Sequence, residues 1–489
     1  MQYSVNSDVV AQATVSELQT WLDEGQISSA DLVLLYLERI SRFDRLGPQL
    51  NSILEINPDA YHIAQALDQE RRARGPRGPL HGIPVVIKDN LSTADKMHTS
   101  AGSLALKDLH APFDAAVVER LRASGAVILG KTNMTEWANF MSDHMKNGYS
   151  SRGGQVLNPY GPGTVDPGGS SSGSAAAVAA GLAGFAIGTE TSGSILSPAS
   201  QHSLVGIKPT VGLVSRFGII PIAVSQDTAG PMCRTVLDAA LVLGALTGID
   251  LRDPVTGVSE GRYAVDYTIG LSAQDLHGVR LGVPREAFLN DAAEWQQLLM
   301  EQALRDLSQL GATIVDPVDI PSYPQIRDYT VLIYEFKAAL NSYLASLGER
   351  TRMRSLSDII AFNQAHEADC LKYGQSLLIQ SDATTGTLTE PEYLNARARD
   401  LMLSREQGID RAMSEHQLDA LLFFANSGAS IAAKAGYPSI TVPAGYSADN
   451  EPMGLTFTAR AFEEAKLIRW AYAYEVSTQH RRPPVLRES

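Results

Sequence analysis

Glycine and serine crowd into two short blocks of this chain. The first reads Gly168-Gly169-Ser170-Ser171-Ser172-Gly173-Ser174, the second Gly188-Thr189-Glu190-Thr191-Ser192-Gly193-Ser194-Ile195. Upstream, Lys88 closes the apolar run Val85-Val86-Ile87 and is followed by Asp89-Asn90. Hydroxyls can act as nucleophiles, and small residues expose backbone N–H groups that can receive an oxyanion. A lysine leaving a buried strand is poised for desolvation, which lowers its proton affinity and suits it to general-base work. Acyl transfer needs a nucleophile, a base and oxyanion donors together.

Each piece also has other readings. The Gly/Ser block could be a flexible linker, but helix and strand patterns follow it directly. A phosphate cradle stays open, because Gly-rich backbone ahead of a helix offers free N–H groups. Neither GxxxxGK[ST] nor GxGxxG occurs there, which weighs against nucleotides. Gly169 to Gly173 formally matches a GxSxG elbow with Ser171 as nucleophile. That elbow needs an apolar strand before it, and Thr164-Val165-Asp166-Pro167-Gly168 reads as a turn. Lys88, taken alone, could be a salt-bridged strand end.

The elements that must position these residues can be read from caps and periodicity. Thr14 to Glu17 forms a capping box, Ser28 to Asp31 opens a second helix, and Asn57-Pro58 starts a third that ends at Gly75. Residues 1–75 are therefore expected to form an N-terminal helical arm. Strands are expected at Ile83 to Ile87, Ala126 to Leu129, Arg280 to Val283, Ala312 to Val315, Ala420 to Phe424, Ser439 to Val442 and Leu455 to Thr458. Asn133 should cap a helix carrying Glu136 and Trp137, and another should run from about Ser172 to Leu182. Further helices are expected around 291–310, 326–345, 391–414 and 463–478. Strands alternating with helices predict an α/β fold whose large mixed central sheet is covered on both faces by helices. One domain over 1–489 is expected. Within it, 78–245 carries the chemistry, 250–425 is a variable segment, and 426–480 returns to the sheet.

Composition narrows the partners. The 489 residues include 54 acidic and 40 basic side chains, a net charge of −14. Nucleic-acid binding needs clustered Lys/Arg, so none is expected. Cys233 and Cys370 cannot make a disulfide framework, and no histidine pattern suggests a metal. No cofactor is expected. Met1 to Gln12 is polar, and the run from Ala175 to Gly188 is too short and too rich in small residues to span a membrane. A soluble, cytoplasmic monomer or homodimer is expected.

Taken together and in order, these pieces resemble the amidase signature family. The resemblance runs through Gly78 to Asn90, Gly130-Lys131-Thr132-Asn133, Gly168 to Ala180, Gly188 to Ala199, Gly206 to Thr210, Gln226 to Pro231, Ala435 to Gly445 and Gly454 to Phe457. It covers nearly the whole chain. It implies the amidase signature fold and a Ser–cis-Ser–Lys triad of Ser194 as nucleophile, Ser170 as bridge on a cis Gly169-Ser170 peptide, and Lys88 as base. To serve near neutral pH, the lysine's pKa must fall from ~10.4 by about 2–3. The oxyanion hole would be the backbone N–H groups of Thr191, Ser192, Gly193 and Ser194. Asp89, Asn133, Ser171, Gln226 and Asp227 would support the site or line it. Asp227 reads equally well as a buried structural carboxylate.

Two departures stand out. Many members read Gly-Thr-Asp-Thr-Gly-Gly-Ser-Ile-Arg; here Glu190 replaces the Asp, Ser192 the first Gly, and Leu196 the Arg. The paired change suggests loss of a charged pair. The wording of the Glu190 to Ile195 segment, the Arg152-Gly153-Gly154-Gln155 loop, Asn158-Pro159-Tyr160 and 212–222 is most similar to bacterial peptide amidases. The expected activity is hydrolysis of a linear carboxamide, such as a C-terminal peptide amide, to carboxylate and ammonia through an acyl-serine. The alternative is the A subunit of the tRNA-dependent glutamyl/aspartyl amidotransferase, which supplies ammonia from glutamine. The acyl pocket is expected from 320–425 and 145–165. Tyr329, Tyr334, Phe336 and Tyr373 are candidates to line it, although each could equally pack in a core.

Overall fold

The computed structural model describes residues 6–290 and 292–487. In chain order the strands are β1 (Ile53–Ile56), β2 (Pro84–Lys88), β3 (Val127–Thr132), β4 (Tyr149–Ser150), β5 (Gly154–Gln155), β6 (Phe185–Glu190) and β7 (Val205–Lys208). They continue with β8 (Thr228–Cys233), β9 (Arg280–Gly282), β10 (Thr313–Val315), β11 (Ala420–Phe424), β12 (Ser439–Tyr446) and β13 (Pro452–Thr458). Strands β4 and β5 make a small hairpin. The other eleven form one sheet in the order β1-β3-β2-β6-β8-β7-β12-β13-β11-β9-β10. β3, β2 and β6 run parallel to one another, as do β11, β9 and β10, while the strands between are antiparallel. This is the mixed sheet expected from the strand–helix alternation.

Every residue of β2, β3 and β6 is buried, as helices on both faces require. The site's residues sit where these central strands end. The helix Ser172–Ala179 (SGSAAAVA) is buried along its whole length against the sheet. Its small side chains permit that depth. Gly173 is needed there, since a Cβ would lie 2.3 Å from the Asn133 carbonyl oxygen. Two buried arginines satisfy the carbonyls at the far end of this helix. Arg39 donates to Ala180 O and Gly181 O, and Arg234 to Val178 O and Ala183 O. Cationic donors are favoured at that end of a helix dipole.

Several expectations need correction. The N-terminal arm is not purely helical: Ile53–Ile56 is an edge strand paired antiparallel with β3. The strands β6, β7 and β8, in the middle of the sheet, are absent from the sequence-based expectation. FAIGTE, VGIK and TAGPMC lack alternation because both of their faces are packed, and glycine, proline, threonine and glutamate break up the apolar runs that would otherwise announce them. The helix expected after Asn133 is instead a tight turn, Glu136–Asn139, in which Trp137, Ala138 and Asn139 all have positive φ (49°, 55° and 70°). The long helix expected at 391–414 breaks into Pro391–Ser404 and Asp410–Glu415 around a π-turn. The expected Thr14–Glu17 capping box forms, and the second helix opens at Ser28 as expected, there with a capping box to Asp31 as well. No described helix is long and apolar enough to cross a membrane.

Candidate active site

Lys88 is the last residue of β2 and is fully buried. Its Nζ hydrogen-bonds Ser170 Oγ at 2.7 Å, Thr189 Oγ1 at 2.9 Å and the Thr189 carbonyl at 3.1 Å. None of these partners is a carboxylate. Burial pushes the lysine's pKa down to about 7, against the pull of the Glu190 and Asp227 charges. Thr189, which the sequence does not single out within the second Gly/Ser block, thus supplies two of the three partners. Thr189 Oγ1 is itself tied to Asn90, accepting from Nδ2 at 3.0 Å and donating to Oδ1 at 3.4 Å.

Ser170 precedes the buried helix, and its peptide bond to Gly169 is cis. Its carbonyl accepts from the Thr135 N–H at 3.0 Å. The Ser171 hydroxyl donates to Thr189 O (3.1 Å) and accepts from Thr189 N–H (3.3 Å), while the Ser171 N–H donates to Ser194 O (3.2 Å). Ser171 therefore stitches the Ser170 loop to β6 and to Ser194, so its hydroxyl is spent on backbone and the GxSxG reading falls away. Ser172 bonds back to the Gly168 carbonyl, and Ser174 to Thr132 Oγ1 (2.8 Å).

Beyond β6 the chain folds into a loop that carries Ser194. Glu190 turns its carboxylate into this loop: Oε1 accepts from Gly193 N–H (2.7 Å), and Oε2 from Ile195 N–H (2.7 Å) and Leu196 N–H (3.0 Å). This corrects one expected oxyanion donor, because the Gly193 N–H is already engaged by Glu190. The N–H groups of Thr191, Ser192 and Ser194 have no protein acceptor among the described residues. Ser194 is 6% exposed and lines a cavity. The Ser170 and Ser194 hydroxyls are not hydrogen-bonded to each other; their loops are joined through the Ser171 N–H to Ser194 O bond.

The other expected residues divide. Gln226 donates to Thr191 O (3.2 Å), and the Asp227 carboxylate accepts from Thr191 Oγ1, Ile222 N–H (2.9 Å) and Ala223 N–H (3.0 Å). Both brace the loop from behind. Burial pushes the Asp227 pKa up to about 6 against those hydrogen bonds. Asn133 holds the hairpin β4–β5, accepting from Ser150 Oγ (2.7 Å) and donating to Gly154 O (3.3 Å). Asp89 lies away from the cavity. It accepts from Ser100 and from Gly102 N–H (3.0 Å) and lies 3.5 Å from Arg152. Asp89 lies in the turn that follows β2, and its carboxylate is spent on these partners.

The cavity over Ser194 measures about 340 Å³. Thr191, Ser192, Ser194 and Ser197 form one side, and the left-handed turn with its continuation, including Asn139, Phe140 and Asp143, forms another. Tyr329, Leu332, Leu377 and Asn426 complete it. The expected segments 145–165 and 320–425 do contribute. The stretch 138–143 is an addition, since nothing in its sequence reads as functional. Of the four aromatic candidates, Tyr329 lines the cavity and is 54% exposed. Phe336 packs edge-on against Phe140, Tyr373 packs on Tyr149, and Tyr334 OH donates to Glu392.

A fully buried lysine bonded to one serine-bearing loop, and a cavity lined by the other, are the ingredients that acyl transfer requires. The amidase family model matches residues 31–468, and the chain belongs to the amidase signature family and is an amidohydrolase. It is similar to the crystal structure of the peptide amidase from Stenotrophomonas maltophilia, with 48% identity, a TM-score of 0.92, and coverage of 97% of this chain and 99% of that one. It is 40% identical to a probable amidase of Arabidopsis thaliana over 486 residues, 97% of this chain and 92% of that protein. It is also 35% identical to the A subunit of glutamyl-tRNA(Gln) amidotransferase from Ralstonia nicotianae, over 96% of this chain and 99% of that one.

Proposed function

We propose that this amidohydrolase cleaves C-terminal amides of peptides, with Ser194 as nucleophile, Ser170 as proton relay and Lys88 as base. The observation that carries the mechanism is the set of partners around Lys88 Nζ. The Thr189 carbonyl can only accept, and Thr189 Oγ1, which gives its proton to Asn90 Oδ1, must accept too. A neutral amine has two N–H donors and one lone pair. With the lysine neutral, as base work requires, the two donors go to Thr189 and the lone pair is left for the Ser170 hydroxyl, which lies 2.7 Å away.

Ser194 Oγ attacks the amide carbonyl carbon and passes its proton to Ser170 Oγ, whose own proton moves to Nζ. Apo active sites often leave such a bond to tighten on substrate binding, and the Ser170–Ser194 link is the one to close here. The tetrahedral oxyanion is received by N–H groups of Thr191, Ser192 and Ser194. When the C–N bond breaks, the lysine proton returns through Ser170 to the leaving nitrogen, which departs as ammonia. Water then repeats the sequence on the acyl-enzyme and releases the carboxylate.

The cavity supports a peptide as the acyl part. Asn139, Asn147, Asn426, Ser142 and Ser197 line it beside Phe140 and Leu332. These polar groups suit a substrate that carries its own N–H and C=O groups better than an aliphatic chain. The likeness to a solved peptide amidase points the same way, and at 48% it exceeds the 35% to the amidotransferase component. The catalytic core motifs of 78–245 and the loops of 320–425 then serve one site, with no cofactor. The test is ammonia release from a panel of peptide, aryl and aliphatic amides and glutamine by the purified chain. Turnover of peptide amides by the chain alone is expected. Glutamine hydrolysis that needs a co-purifying partner protein would support the amidotransferase reading instead.

A further inference from the structure

We propose that Glu190 is a positioning residue of the reaction, holding the backbone on both sides of Ser194 and so deciding which N–H groups remain for the oxyanion. The inference rests on the reading of Ser194 as nucleophile. The side chain is almost fully buried, at the end of β6. An ionised carboxylate is acceptor-only, with roughly four lone-pair sites. Three are taken, by the N–H groups of Gly193, Ile195 and Leu196. These three N–H groups bracket residue 194 and leave its own free. Hydrogen bonds to a charged acceptor are about twice as strong as neutral ones, so the loop is fixed from the inside without any contact to substrate.

Gly193 is what lets the clamp close. Its φ of +88° turns its N–H toward Glu190, a conformation that costs glycine little. With leucine at 196 there is no arginine for Glu190 to pair with, and its carboxylate is spent on backbone N–H groups instead. Two lysines stand near it, Lys88 of β2 and Lys208 of β7, and the Glu190 charge raises the proton affinity of each. Asp227 also acts on Lys88, and Glu464 on Lys208. Removing the Glu190 charge should thus make Lys88 easier to deprotonate, while Asp227 continues to hold it part-way.

Glu190→Gln and Glu190→Asp, made in the full chain, test this on whichever amide the parent protein hydrolyses. Gln must turn an N–H₂ group toward one of the N–H donors. It is expected to lower kcat ~10²-fold with KM within about twofold, and to move the acid limb of the kcat/KM profile to lower pH. Asp keeps the charge one methylene short. It is expected to lower kcat less and to leave the acid limb in place. A kcat within about threefold of the parent for Glu190→Gln, or a loss carried wholly by KM, overturns the proposal. If Glu190→Gln does not fold, Glu190→Asp decides: reduced kcat at constant KM supports the clamp, and parental kcat overturns it. Turnover by Ser194→Ala would instead remove the nucleophile assignment itself, so the two failures are separable.

Discussion

Two lysines leave adjacent parallel strands of the same sheet, and only one of them is hydrogen-bonded to a serine of the glycine- and serine-rich blocks. Lys88 ends β2 and Lys131 lies in β3, and both are fully buried. Burial lowers the pKa of the first to about 7 and of the second to about 8. Their surroundings differ. Lys131 donates to the Leu91 carbonyl (2.6 Å) and Thr99 Oγ1 (2.9 Å), and it sits in the field of Asp89, Asp95 and Glu55, with Arg152 opposing. Lys88 has hydroxyls and a carbonyl, and one of the hydroxyls belongs to a loop bonded to the cavity wall at Ser194. Desolvation makes a lysine a candidate base, but a proton path to an open cavity is what makes it useful.

The comparison can be broken most sharply at the nucleophile. Ser194→Ala is expected to reduce kcat ~10⁴-fold or more, with the protein folded, as measured by ammonia release. Lys88→Ala should cost ~10²–10⁴-fold, and Ser170→Ala a comparable amount, since it cuts the same relay. In the parent protein, kcat/KM should rise with pH through about 7, because the base works only when neutral; a rate independent of pH from 6 to 8 would contradict a Lys88 base. Thr189→Val, which removes one acceptor of the lysine and leaves the carbonyl, is expected to cost ~10-fold in kcat.

Smaller effects sharpen the other side. Tyr329→Ala, at the rim of the cavity, should raise KM a few-fold for peptide amides and leave kcat near parental. Lys131→Met should leave turnover per folded molecule unchanged while lowering the melting temperature. Its loss strands two buried acceptors at ~1–3 kcal/mol. If Lys131→Met instead abolished turnover in well-folded protein, the two lysines would not differ as described.

The sequence marks this site unevenly. Ser170 and Ser194 stand in blocks dense with glycine and serine and Lys88 ends an apolar run, but their grouping as a triad comes from the resemblance to the amidase signature family and not from either pattern alone. Thr189 is one threonine in a strand, and its importance arises only when β2 and β6 pair. Glu190 reads as a missing charge partner because a sequence cannot show backbone N–H groups closing on a carboxylate. The turn at 136–139 looks helical from Asn133 onward, yet three non-glycine residues adopt positive φ beside the cavity. Such backbone is held by its surroundings rather than by local preference. Seven strands of the sheet are legible in the sequence, whereas the edge strand β1 hides in a helical arm and β6, β7 and β8 carry glycine, proline and threonine that blur their period.

The most direct measurement is site-resolved labelling with a fluorophosphonate, read by tandem mass spectrometry in the parent protein and in Lys88→Ala. The expected result is one adduct, on Ser194, forming at least ~10²-fold more slowly without the lysine at neutral pH. An adduct on Ser171 or another serine, or labelling of Ser194 at the same rate in Lys88→Ala, would contradict it.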